Sequence, residues 1–295
     1  MMFEVSGVQI GLGPEDEEFV ASASNNNILG GAGFDTLFLD GLRGIGQSNW
    51  NLLGQSGGVL GTLDVATGAS VNNTFRDIES IVGSPSSDRL VGNGQVTSIY
   101  GGDGHDWISA AMDSPNASYL RGGGGDDRID GEATFDDING NQGEDTAHGW
   151  EGDDWVVGGQ GNDLLFGDTG RDIVYGNLGN DTCDGGADAD IVRGGQGDDS
   201  LTGGAGDDWI AGDRGSDTIS GGGGADTYHT VTGAGVDAVL DFNYAQGDRV
   251  QLMLGATYTG SQVGADTVVD LGGGDRLILA GVQLASLGTD WIVAL

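Results

Sequence analysis

The chain has 295 residues, 61 of them glycine and 3 proline, with 46 acidic side chains against 10 basic ones, all arginine, for a formal net charge of −36. That charge excludes binding to nucleic acid or to an anionic membrane surface, which needs a positive face; glycine without a three-residue period excludes collagen. The single cysteine, Cys183, excludes an internal disulfide, and a hydrophobic fraction of 37% allows only a thin core.

Residues 1–19, MMFEVSGVQIGLGPEDEEF, contain no basic segment followed by an apolar one, so they do not read as a cleaved leader. No apolar run reaches the 18 residues of a membrane span. Residues 1–82 read as a β-rich N-terminal region with one isolated nine-residue unit, GGAGFDTLF, at 30–38. Within it, Gly54-Gln55-Ser56-Gly57-Gly58 matches the nucleophile elbow G-x-S-x-G. The histidines that a base would need, His105, His148 and His229, all lie within later repeats, and the stretch is too short for a hydrolase sheet. It reads as a glycine-rich loop. With no H-E-x-x-H motif either, the chain is expected not to be an enzyme.

From residue 83 a nine-residue period takes over. Three units fill 83–109, with Asp88, Thr97 and Asp106 at position six; a three-residue insertion follows in 110–121. Twelve uninterrupted units then run from Gly122 to His229. All twelve begin with glycine and carry aspartate at position six: Asp127, Asp136, Asp145, Asp154, Asp163, Asp172, Asp181, Asp190, Asp199, Asp208, Asp217 and Asp226. Position eight is apolar or small throughout, from Ile129 through Cys183 to Tyr228, which a disordered acidic tract would not maintain.

The spacing dictates a solenoid. Glycines at positions one, two and four admit a tight turn, and positions seven to nine are expected to form a strand whose position eight faces inward. Two units make a coil of two strands and two turns, and stacked coils give two parallel sheets around an aliphatic core. Turns on one edge then recur every 18 residues and stand ~4.8 Å apart. Two carboxylates at that distance repel by about 3–4 kcal/mol at an effective dielectric near 20. Calcium, a hard cation taking six to eight oxygens, converts that repulsion into coordination. The twelve aspartates, together with Asp88 and Asp106, are therefore the expected ligands of about ten or more calcium ions.

The pattern G-G-x-G-x-D-x-U-x, seen whole in GGQGNDLLF and GGAGDDWIA, resembles the RTX, or haemolysin-type, calcium-binding repeat. The resemblance extends over roughly 21–38 and 61–295: residues 61–93 are similar to an RTX lead-in, and 235–252 and 264–287 to the β-rich segments that close RTX modules. It implies an all-β fold, a parallel β-roll with a C-terminal β-rich cap, divided as 1–82, 83–230 and 231–295. The terminal Asp290-Trp291-Ile292-Val293 resembles the uncleaved signal of type I secretion, implying export from a Gram-negative bacterium through that machinery. A beginning at Met-Met and an end in such a signal suggest a complete product.

One face breaks the polar pattern. On alternate units position seven reads Trp155, Ile173, Ile191 and Trp209, and position nine adds Val157 and Tyr175. These six are expected to form an exposed apolar ladder, an interface for self-association. The resulting expectation is a secreted, calcium-folded protein with a structural, surface or matrix role as a fibre or layer. The alternatives are an accessory module of a secreted enzyme, such as a protease, lipase or epimerase, and a polysaccharide-binding module.

Overall fold

The structure, a computed structural model, describes residues 79–83, 85–92, 96–110 and 115–294 in full and, within residues 1–78, the backbone of the strands alone. The G-x-S-x-G stretch at 54–58 and residues 30–35 of the isolated unit lie outside the described residues. Regular structure among the described residues is β-strand, apart from a 3-10 turn at Leu284–Ser286. The chain divides into two compact units, Met1–His148 and Gly149–Leu295.

The first unit is two mainly parallel sheets. One runs from Met2–Val5 through Glu18–Ala21, Thr36–Phe38, Ser80–Val82, Ser98–Asp103 and Ser118–Gly124 to Asp136–Gln142. In the other, Asp88–Val91, Trp107–Ser109 and Arg128–Glu132 pair in parallel. Ser48–Leu53 joins them in parallel and opens an antiparallel meander with Val59–Val65 and Ala69–Arg76. The three-residue insertion does not break the ladder, since Ile108 still stands opposite Ile129.

The second unit repeats the plan with a regular 18-residue offset. Trp155–Gln160, Ile173–Leu178, Ile191–Gln196 and Trp209–Arg214 pair in parallel register, Val156 against Val174, Val192 and then Ile210. Leu164–Thr169, Thr182–Ala187, Ser200–Ala205 and Thr218–Gly223 do the same in the other sheet. The position-eight side chains are the core, none more than 1% exposed. Cys183 is among them, and burial, reinforced by the negative charges of Asp181, Asp199 and Asp163, pushes its thiol pKa up; it is an inert core residue.

Two local features differ from expectation. The strands are six residues long and take in positions seven to nine together with one to three of the next unit, leaving only positions four to six for the turn, as in Trp155–Gln160 followed by Gly161, Asn162 and Asp163. The glycines also serve different ends. Positions two and four carry positive φ, Thr134 at position four excepted, and at position two the left-handed backbone is adopted by Asn141 (77°), Asp168 (73°) and Asn177 (87°) as well. Position one has no positive φ; its glycine answers a steric demand described below.

The C-terminal segment continues both sheets. Thr227–Thr230, Arg249–Leu252 and Ile292–Ala294 extend one in parallel. Val236–Val239 and Asp275–Leu279 extend the other, which Asp266–Gly272 and Thr259–Val263 then close antiparallel. The terminal Asp-Trp-Ile-Val is part of this fold. Asp290 accepts hydrogen bonds from Tyr244 and from Arg249 (3.1 Å), and Trp291 is 8% exposed.

Candidate metal centre

Each turn places its position-six aspartate inside the roll. All fourteen aspartates singled out above, Asp88 and Asp106 included, are buried. In each unit they form ladders. The Oδ1 of Asp172 accepts the backbone N–H of Asp154 at 2.7 Å, and Asp172 in turn donates its N–H to Asp190 at 2.8 Å. On the other edge the same bond links Asp163 to Asp181 and Asp181 to Asp199 at 2.8 Å. In the first unit it links Asp88 to Asp106, Asp106 to Asp127 and Asp127 to Asp145, at 2.7–2.8 Å. Asp136 accepts from Ser118 N–H instead (3.1 Å).

The second carboxylate oxygen has a different environment. The Oδ2 atoms of Asp106, Asp127, Asp172, Asp181, Asp190, Asp199, Asp208 and Asp217 are buried and meet no hydrogen-bond donor. Each points at the position-one glycine of its own turn. A Cβ on Gly167 would stand 2.5 Å from Asp172 Oδ2 and 2.5 Å from the carbonyl oxygen of Gly185, the position-one glycine of the next coil. Gly185 and Gly203 repeat the arrangement with Asp190 and Asp208. The invariant glycine is thus a gap lined by a carboxylate and a carbonyl oxygen, both lacking hydrogen, which is the donor chemistry of a hard cation. Among the described residues no three acidic, His or Cys side chains converge on one point, so backbone carbonyls must make up most of any coordination shell.

Burial makes these carboxylates poor anions without a cation. It raises the pKa of Asp190 and Asp106 to about 8, of Asp199 to about 7 and of Asp172 and Asp127 to about 6; the backbone N–H bond opposes the rise, and neighbouring aspartates add to it. Outside this ladder runs an exposed one at position five, where Asp153 accepts from Arg171 N–H (3.0 Å) and Asn162 from Asn180 N–H (2.8 Å).

Two members of the inner ladder lie beyond the repeats. Asp237 accepts from Asp217 N–H (3.2 Å), Asp248 from Asp226 N–H (3.1 Å), and both are buried. The sequence did hold a signal for them. Thr232-Gly233-Ala234-Gly235-Val236-Asp237-Ala238-Val239 keeps the glycines of positions two and four and lacks only that of position one, while Asp248-Arg249-Val250 keeps the aspartate-x-apolar order of positions six to eight without those glycines.

The apolar ladder is shorter than expected. Trp155 (48% exposed), Ile173 (38%) and Ile191 (40%) stand open in register. Val157 is buried, a small side chain beside its larger register partner Tyr175, and adds no exposed surface. Tyr175 is half-buried, with the Arg193 guanidinium 5.1 Å from its ring. Trp209 is also half-buried: its Nε1 donates to Gln251 (2.7 Å) and its ring stacks on His229 at 5.1 Å.

Parallel rolls with oxygen-lined turns of this kind define a class of calcium-binding solenoid. The model of the RTX calcium-binding nonapeptide repeat, in four-copy form, matches residues 15–41, 82–113, 117–135, 130–165, 157–192 and 193–228, more than half of the chain. The chain belongs to that family, and its repeats bind calcium. Among solved structures it is similar to the extracellular lipase LipA from Serratia marcescens, at 16% identity and a TM-score of 0.26; the match covers 99% of this chain and 42% of the lipase. No curated protein sequence matches. No helix among the described residues is long and apolar enough to cross a membrane.

Proposed function

We propose that this is an exported protein whose roll forms when its turns take up extracellular calcium, and that it serves a structural, surface or matrix role by self-assembly. The ions lie between same-edge coils, held by the position-six aspartates and the carbonyls of position-one glycines. Support for this comes from the buried, donorless Oδ2 atoms facing those carbonyls. Sites of this extracellular kind bind at about 0.1–1 mM, so a calcium-poor cytosol leaves the chain unfolded and able to pass an exporter. We place the type I export signal in the C-terminal segment. A chain lacking 236–295 is expected to stay in cells carrying a type I exporter, and its continued release would refute that placement.

The assembly reading rests on one observation: the register that stacks the carboxylates also stacks Trp155, Ile173 and Ile191 in the open. Sedimentation in calcium should show polymers of the full chain. The double variant Trp155→Ser, Ile173→Ser should remain monomeric with its calcium uptake unchanged. A wild-type chain that stays monomeric at high concentration in calcium would exclude self-assembly.

A further inference from the structure

The sheet face that carries the apolar ladder also carries a polar cleft. On the strands Ile173–Leu178, Ile191–Gln196 and Trp209–Arg214, the exposed position seven is followed by position nine and by positions two and three of the next unit. These place Tyr175, Arg193, Gln196, Asp213 and Arg214 around a cavity of about 310 Å³. Residues 231–233, just after the strand Thr227–Thr230, form the remaining wall with the exposed Thr232. Gly195, the register partner of both Asn177 and Asp213, adds no side chain and leaves the row open between them. The volume lies at the small end of ligand pockets, about 300–1,000 Å³, which suits a small molecule or the end of a chain.

The lining is held in place by its own contacts. Arg193 Nε donates to Asp213 Oδ2 (2.9 Å), and its Nη2 stands 2.7 Å from the same oxygen. Its Cζ lies 5.1 Å from the centre of the Tyr175 ring. A guanidinium is a fork of N–H donors, and one carboxylate oxygen engages only one edge of it, so donors are left over. Arg214 is exposed, and its guanidinium meets no acceptor among the described residues. Two guanidinium groups against one carboxylate leave a single positive charge in this cleft, on a chain whose net charge is −36.

That combination selects a ligand chemistry. Sugar hydroxyls donate and accept at once, and arginine, aspartate and glutamine together offer both roles within one cleft. The one uncompensated charge calls for one negative charge, and a carboxylate matches the guanidinium fork. A phosphate group carries close to two charges at neutral pH and would stand unbalanced beside Asp213. We propose that this cleft binds a sugar acid, with the carboxylate on Arg214 and the hydroxyls on Arg193, Asp213, Gln196 and Thr232. The site is separate from the calcium cradles and from the apolar ladder, and it rests on the calcium reading only in that the roll must be folded.

Calorimetric titration of the full chain in saturating calcium tests it, with circular dichroism beforehand to tell a failure to fold from a failure to bind. Glucuronate is expected to bind at least about tenfold more tightly than glucose, the effect of one charge-assisted hydrogen bond. Arg214→Gln, at an exposed position, should bring glucuronate down to the level of glucose, and Gln196→Ala should weaken both sugars alike. The assignment is overturned if the folded chain does not bind glucuronate, binds the two sugars equally, or binds inorganic phosphate as tightly. It is overturned equally if Arg214→Gln keeps the preference. The Trp155→Ser, Ile173→Ser variant should bind glucuronate as the parent does; a loss there would place the ligand on the ladder instead.

Discussion

Gly167 has no positive φ, yet a Cβ on it would stand 2.5 Å from Asp172 Oδ2. Gly159 has a φ of 120°, and the same position in other units is held by Asn141 and Asn177. The two glycines are therefore not equivalent, although one repeat formula covers both. Gly167→Ala must push a carboxylate or a carbonyl out of the cradle, an overpacking cost of about 1–3 kcal/mol. It should also raise the calcium concentration needed for folding. Gly159→Asn is expected to stay within about 0.5 kcal/mol of the parent. Thermal unfolding in saturating calcium, with a calcium titration followed by circular dichroism, checks both. Equal losses would mean that the cradle does not set the position-one requirement.

At the scale of the strand, alternation explains both the core and its exceptions. Position eight points inward and position seven outward, which is why Val156 is buried while Trp155 beside it is exposed. Trp209 shares the position of Trp155 but has Gln251 and His229 for neighbours, supplied by strands that follow the last repeat aspartate. The end of the chain is likewise structural: Trp291 is buried and the strand after it pairs with Arg249–Leu252. Trp291→Ala should cost about 3–5 kcal/mol, the usual range for deleting a buried large aromatic. Chemical denaturation in saturating calcium measures this, and a loss below about 1 kcal/mol would show that the terminal strand does not cap the sheet.

Over the whole chain, a net charge of −36 opposes compaction, and the inner carboxylates decide when it can be overcome. Their folded pKa values are raised, mainly by burial, from an ordinary 3.8 to about 6 for Asp172, 7 for Asp199 and 8 for Asp190. A raised folded pKa means that the neutral form is the one the fold favours. The contribution to stability is therefore fully present below the unfolded value and is lost as pH rises through the folded values. In chelator, strand signal should be greatest below about pH 4 and be lost progressively as pH rises from there to about 8. Calcium reverses the dependence, because its ligands must be deprotonated: uptake should strengthen over the same window and release protons. Circular dichroism against pH, with chelator and with millimolar calcium, reads both curves. A chelated chain folded equally at pH 5 and pH 8 would contradict the burial of these groups.

A nine-residue period with one apolar and one acidic position left the chain a single way to bury the first and stack the second, so the roll, its core and its aspartate ladders were legible in the sequence. Periodicity carries that information because every unit meets the same neighbours. Where the period ends, neighbours come from distant segments and pattern stops predicting contact. The sequence could not show that Gln251 and His229 draw in Trp209, or that the Tyr228 hydroxyl enters a turn. Nor could it separate the two uses of glycine. One depends on backbone φ, which local sequence suggests; the other depends on an oxygen 18 residues away, which only stacked coils bring near.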